Sequence, residues 1–214
     1  MDNTTSLLDL LQAFNRKECY YLLAAAMDVS RFTLGSRFRE KLGALFAVDI
    51  PRDAFAAVDY HLDWLYAALT LLHDPDIDIH PNKDRFLHAS TEDIDFLVAF
   101  AAADEYHLIF LEAKGVTSFS NEQLRSKLVR LEALFQGHDK ESPYVIPHFA
   151  LVSPREPVRL DYGDWPSWAY PGGKVKWLEL PIGHHLLQAV RCNSLGFEDK
   201  KGHYWQVQVD KNTV

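Results

Sequence analysis

Cysteine is almost missing from this 214-residue chain. The two present, Cys19 and Cys192, lie far apart and match neither a metal-ligand nor a redox spacing. A disulfide scaffold and a cysteine-built zinc site are excluded, and a reducing, cytoplasmic setting is the expectation. Long hydrophobic runs are missing too. The longest, Cys19 to Met27 and Trp64 to Leu72, are nine residues each, against the ~18 or more that a membrane-spanning helix needs. The first residues, Met1-Asp2-Asn3, carry no basic flank of the kind that opens a signal peptide, so a soluble protein is expected. Internal repeats and low-complexity stretches are also lacking. Basic residues are in deficit, 22 against 30 acidic ones, for a net charge of −8. That balance argues against a general nucleic-acid coat protein, while leaving room for an enzyme that holds DNA on a local basic patch.

The composition that remains, 48% hydrophobic and 24% charged, is that of an ordinary globular domain. Aromatic residues reach 13%, and Trp165, Trp168, Trp177 and Trp205 fall in the last quarter. Such side chains in a Pro- and Gly-containing segment are expected to pack a loop onto the core. Stacking of Trp165, Trp168 or Trp177 on nucleic-acid bases is the less favoured alternative.

Apolar spacing of three and four predicts helices through residues 1–73: Leu7, Leu8, Leu11 and Phe14, then Tyr21, Leu22 and Ala25, then Phe38, Leu42 and Leu45. Asp53 reads as the N-cap of a third helix reaching Leu72, with the stripe Phe55, Val58, Leu62, Leu65, Leu69 and Leu72. A connector rich in Asp, Pro and Asn follows, from His73 to Asp84. The runs Phe96 to Phe100 and His107 to Leu111, joined by a short polar turn, predict a β-hairpin. Asn121 then opens a helix with a core face of Leu124, Leu128, Leu131 and Phe135, ended by Gly137. Strands are predicted at Pro147 to Val152, Val175 to Leu180 and Tyr204 to Val209, and a helix at His185 to Cys192. The expectation is an α/β fold: a helical N-terminal segment over 1–80 and a sheet-containing core over 81–214, forming one compact unit.

The chemistry concentrates on the hairpin. Glu112 and Lys114 stand at i and i+2 on the second strand and share a face. Asp95 begins the first strand, and in an antiparallel pair the start of one strand lies beside the end of the other. Asp95, Glu112 and Lys114 should therefore converge. Asp93 shares Asp95's strand face and is the weaker alternative. Two carboxylates and an ammonium group at one sheet end are costly unless solvated, paired or ligated. Converging carboxylates suit Mg²⁺ or Mn²⁺. From Lys114 to Arg130 the basic residues Lys114, Arg125, Lys127 and Arg130 face Glu122 alone, a local balance of +3. Lys127 and Arg130 follow Gln123 at i+4 and i+7 on one flank, where phosphate contact and simple solvation are equally compatible with the spacing. His148, His184, His185 and His203 fit no zinc spacing and are read as loop or surface residues.

The segments EDIDFLVAF, HLIFLEAKG and SNEQLRSKL together resemble the PD-(D/E)XK, or restriction-endonuclease-like, nuclease superfamily over about residues 92–152. Glu112-Ala113-Lys114 matches the E-x-K half and Asp95 the isolated aspartate, although Ile94 stands where many members carry proline. The resemblance implies a central mixed sheet flanked by helices and metal-dependent hydrolysis of DNA, with RNA as the alternative polymer. It implies that Asp95, Glu112 and the Ala113 carbonyl hold Mg²⁺ or Mn²⁺, that Lys114 positions water, and that Gln123 orients water or phosphate. It also implies a further acid from a preceding helix, with Asp59 or Asp63 favoured over Glu18 and Glu40. Lys127 and Arg130 become candidate DNA contacts. A homodimer would serve cutting of both strands, and a binding or assembly module without turnover is the alternative class.

Overall fold

The computed structural model describes residues 5–82, 86–87, 92–136, 144–183 and 186–209. The N-terminal segment holds α1 (Leu7–Phe14), α2 (Glu18–Ala26) and α3 (Ser36–Phe46). Ser6 caps α1 in a reciprocal capping box with Asp9. Two sequence expectations fail here. The first helical region is broken at Asn15–Lys17, and residues Phe55–His61 form a strand, β1, before α4 (Leu62–His73). Ala54 to Ala57 are buried in succession, so β1 is covered on both faces and shows no polar alternation. Pairing with β2 outweighs the helix preference of its alanines. The boundary at residue 80 therefore does not separate helices from sheet, because β1 belongs to the central sheet.

That sheet has five strands in the order β1-β2-β3-β4-β5, with β2 at Asp93–Ala102, β3 at Glu105–Ala113, β4 at Tyr144–Ser153 and β5 at Lys176–Glu179. β1, β2 and β3 run antiparallel in succession, while β4 pairs parallel to β3 and β5 parallel to β4. The mixed character follows from the connections: a tight turn suffices between β2 and β3, while the parallel step from β3 to β4 is spanned by α5 (Asn121–Gln136). Leu124, Leu128, Leu131 and Phe135 of α5 are buried as their spacing predicts, and Arg125 is exposed and paired with Asp164. Each fully buried leucine contributes about 1.5–3 kcal/mol. Gly137, expected to end α5, lies outside the described residues.

Two apolar layers sandwich the sheet. On one face α1, α4, α5 and Trp165 pack over Leu97, Ala99, Leu108, Phe110, Phe149 and Leu151. On the other, Leu34 and Leu42 pack over Val98, Phe100, Ile109, Ala150 and Val152. Trp168 joins the first layer, its Nε1–H donating to Glu132, and the Trp177 Nε1–H donates to Ser153. Trp168 packs its loop onto the core as expected, whereas Trp177 is a residue of strand β5. The helix expected at His185 to Cys192 is instead β6 (Leu187–Cys192), paired antiparallel with β7 (Tyr204–Val209) in a separate two-stranded sheet. A six-residue segment is too short to distinguish strand from helix by period, and here the partner strand decides. His184 and His185 lie outside the described residues. No described helix is long and apolar enough to cross a membrane.

Candidate active site at the β2–β3 end

Strand alternation places Asp95 on the face of Leu97 and Ala99, and Glu112 on the face of Leu108 and Phe110, which is the α5-covered face in both cases. The register Phe96↔Leu111 brings the start of β2 beside the end of β3. The two carboxylates are tied to each other's strands. Asp95 Oδ2 accepts from the Ala113 N–H at 2.7 Å, and the Asp95 backbone bonds the Glu112 carboxylate. In extended backbone a residue's N–H and carbonyl point to the same strand edge, so the Ala113 carbonyl also faces β2.

Glu112 is 5% exposed. Burial raises its pKa to about 7, against the opposing pull of Lys127, and the Asp95 charge raises it further. Lys127 reaches down from α5 and donates to Glu112 Oε1 at 2.5 Å. One turn on, Arg130 pairs with Asp63 and Glu92 and donates to the Phe86 carbonyl. Lys127 and Arg130 side chains are 12% and 11% exposed. The expectation that they form an outward, phosphate-gripping flank is therefore corrected: α5 turns them inward because two buried acids require counter-charges. Spacing alone located both cations but not the acids that claim them.

Lys114 continues the strand, its N–H bonding the Val152 carbonyl at 2.9 Å. Its side chain is half-buried and carries no ion pair among the described residues. Gln123 is exposed, one turn before Lys127; the α5 side chain that meets Glu112 is Lys127. Asp93 is held by Lys17 at 3.3 Å, which leaves Asp95 as the aspartate beside Glu112.

Among the acids expected from the N-terminal segment, Glu40 is exposed on α3, whose Leu42 packs on the opposite sheet face, and Glu18 is exposed on α2. Asp63 is engaged by Arg130. Asp59 falls opposite Asp95, between the pairs Val58↔Phe96 and Tyr60↔Ile94. Its φ of +46° interrupts the ladder, and its carboxylate accepts from Cys19 Sγ at 3.7 Å. Among the described residues no three His, Cys, Asp or Glu side chains form a metal cage.

Beyond the ends of β3 and β4 lies a cleft of about 240 Å³ lined by Gly115, Thr117, Ser118, Ser153 and Arg155. It begins one residue after Lys114. Its lining is mixed: Arg155 and the hydroxyls stand beside Glu156 and the apolar Val116, Phe119 and Leu160, and the Ser153 hydroxyl donates to the Arg155 carbonyl. Arg155 was not among the sequence candidates, and nothing in its local spacing marks it.

A second polar cluster occupies the opposite face. His107 Nδ1 and His148 Nε2 lie 2.9 Å apart, with Phe100 stacked on His107 and Phe46 tilted against His148. His148 is thus a strand residue paired with His107, which corrects its reading as a loop histidine. Burial lowers both pKa values, that of His148 to about 4, with His107 lowering it further.

Compared with family models, with curated proteins and with solved structures, the chain matches none.

Proposed function

We propose that this protein is a divalent-metal-dependent phosphodiesterase acting on DNA, with a restriction-endonuclease-like core. The observation that carries the reading is the side-by-side placement of Asp95 and Glu112 on one sheet face, beside a lysine at a strand end and a cleft that Arg155 helps to line. The mixed sheet with a hairpin leading into α5 is compatible with that core. The donor set fits Mg²⁺ or Mn²⁺. Mg²⁺ is commonly held by one or two carboxylates and completes its shell with water and substrate phosphate, so a three-acid cage is not required.

Asp95, Glu112 and the Ala113 carbonyl would hold the ion, which when bound neutralises charge developing on the phosphate. Lys127 opposes the effect of burial on Glu112, favouring its ionised form, and orients it. Lys114, which has no ion-pair partner among the described residues, holds the attacking water or a phosphate oxygen. Arg155 and the cleft hydroxyls receive the neighbouring backbone phosphate. Gln123, expected to approach Glu112, is exposed on α5 and takes no part in the proposed site.

A second reading is a binding or assembly module that keeps the fold without turnover. It is favoured by one observation: Glu112 already has an internal counter-ion in Lys127. Metal titration separates the two. Because Glu112 has its pKa near 7, protons compete with the metal below that pH. Mn²⁺ affinity measured by calorimetry is expected to rise by up to about tenfold per pH unit below pH ~7 and to level above it. Glu112→Ala should abolish this binding, whereas Lys114→Ala should spare it while stopping cleavage. Equal Mn²⁺ affinity in wild type and Glu112→Ala overturns the ligand assignment.

A further inference from the structure

Among the described residues the β6–β7 hairpin pairs with no strand of the central sheet. Its register puts Leu187↔Val209, Ala189↔Val207 and Arg191↔Trp205 on one face. The opposite face carries the buried Val190 and Cys192, with Gln206 bonded to the Gly196 carbonyl. The distribution is the reverse of what solvent favours. Leu187 is 70% exposed, Trp205 69%, Val207 56% and Val209 48%. The one charge on that face, Arg191, is bound to the Gly202 carbonyl at 2.9 Å. A lone two-stranded sheet is marginally stable in water, so a hairpin that keeps an apolar face needs a cover.

We infer that this face is the contact surface for a second copy of the chain. Two features select that occupant. First, the face bears no carboxylate, although the chain carries a net charge of −8. Two such chains repel over most of their surfaces, and an acid-free patch is where they can meet without like-charge opposition. Second, the residue pattern is self-complementary about a two-fold axis at Ala189–Val207. The bulk of Trp205 at one end then covers the Leu187–Val209 pair of the second copy, and small Ala189 lies at the crossing. Isologous packing of this kind closes as a dimer. The four large side chains expose on the order of 500 Å² of apolar surface. The connecting loop is bonded through Gly196 to Gln206 of the other face, so the patch itself makes a small interface, below the ~800 Å² per partner of the standard class.

The test is sedimentation equilibrium of the full chain from about 1 to 100 μM, a range in which an interface of this class is populated. A species of twice the 24.5 kDa chain mass is expected. Val207→Glu, which sets like charges across the axis, should raise the dissociation constant at least ~100-fold with the circular dichroism spectrum unchanged. Should that variant unfold, Ala189→Cys provides an independent readout. Facing sheets stand ~10 Å apart, so a short bismaleimide should link two Ala189→Cys chains but not two wild-type chains. A monomer throughout the concentration range, or a dimer that Val207→Glu leaves intact and Ala189→Cys fails to link, overturns the proposal.

Discussion

Lys127→Met is expected to lower the unfolding free energy by about 2–3 kcal/mol at pH 9, because it leaves the Glu112 carboxylate buried without its counter-charge. At pH 7.5 proton uptake by Glu112, whose pKa is about 7 with Lys127 in place, holds the loss to about 1 kcal/mol. Glu112 and Lys127 side chains are 7% and 12% exposed, so water can replace little of the lost interaction. Methionine keeps most of the lysine's length, which confines the change to charge. The penalty should shrink as pH falls, since Glu112 escapes it by taking up a proton, and the double variant Glu112→Gln/Lys127→Met should recover most of the loss. Urea denaturation at pH 9 and 7 measures both effects. A loss below ~1 kcal/mol at pH 9 would show that the pair behaves as an ordinary surface ion pair.

The second large effect is a pair of opposed pH dependences. Glu112 has a folded pKa raised from 4.5 to about 7, so its favourable contribution is complete below pH 4.5 and is lost as pH rises through 7. His148 has a folded pKa lowered from 6.5 to about 4, so its contribution is present above 6.5 and is lost as pH falls toward 4. Its neighbours are His107, with Glu105 3.9 Å from the far nitrogen of His107, and the rings of Phe46 and Phe100. Between about pH 4.5 and 6.5 the two contributions offset each other. Each single variant, compared with wild type, removes one side while other groups cancel. Between pH 7 and 5, Glu112→Gln should lose about 2 kcal/mol more than wild type. His148→Phe should lose about 1–2 kcal/mol less, the smaller figure reflecting solvent screening of a partly accessible ring. Parallel stability profiles for all three proteins would contradict both assignments.

The sequence made the sheet centre legible where local signals agreed. The β2–β3 hairpin has two compact apolar runs around a polar turn, and α5 has four core residues at helical spacing, so each was readable from one window. β1 was not, because Phe55, Val58 and Leu62 happen to fit a helical stripe and only the partner β2 makes Phe55–His61 a strand. β6 failed in the same manner, its pairing with Tyr204–Val209 being invisible in a six-residue window. At the site, Asp95 and Glu112 could be placed on one face by alternation alone. The inward turn of Lys127 and Arg130 could not, since it depends on Glu112, Asp63 and Glu92 arriving from elsewhere in the chain. Asp59 illustrates the limit of register: it lies opposite Asp95, yet its left-handed backbone turns its carboxylate to Cys19.

The central claim is that Asp95 and Glu112 support metal-dependent cleavage of DNA, and it is tested most directly by single-turnover cleavage of labelled linear duplex. Wild type and Glu112→Ala, prepared identically, would be compared in Mg²⁺, in Mn²⁺ and with EDTA. The predicted result is cleavage by wild type in either metal, none with EDTA, and a loss of at least ~10³-fold in Glu112→Ala, consistent with removing a metal ligand at the reacting phosphate. Equal rates in the two proteins, or no cleavage by wild type that binds the metal, would contradict it.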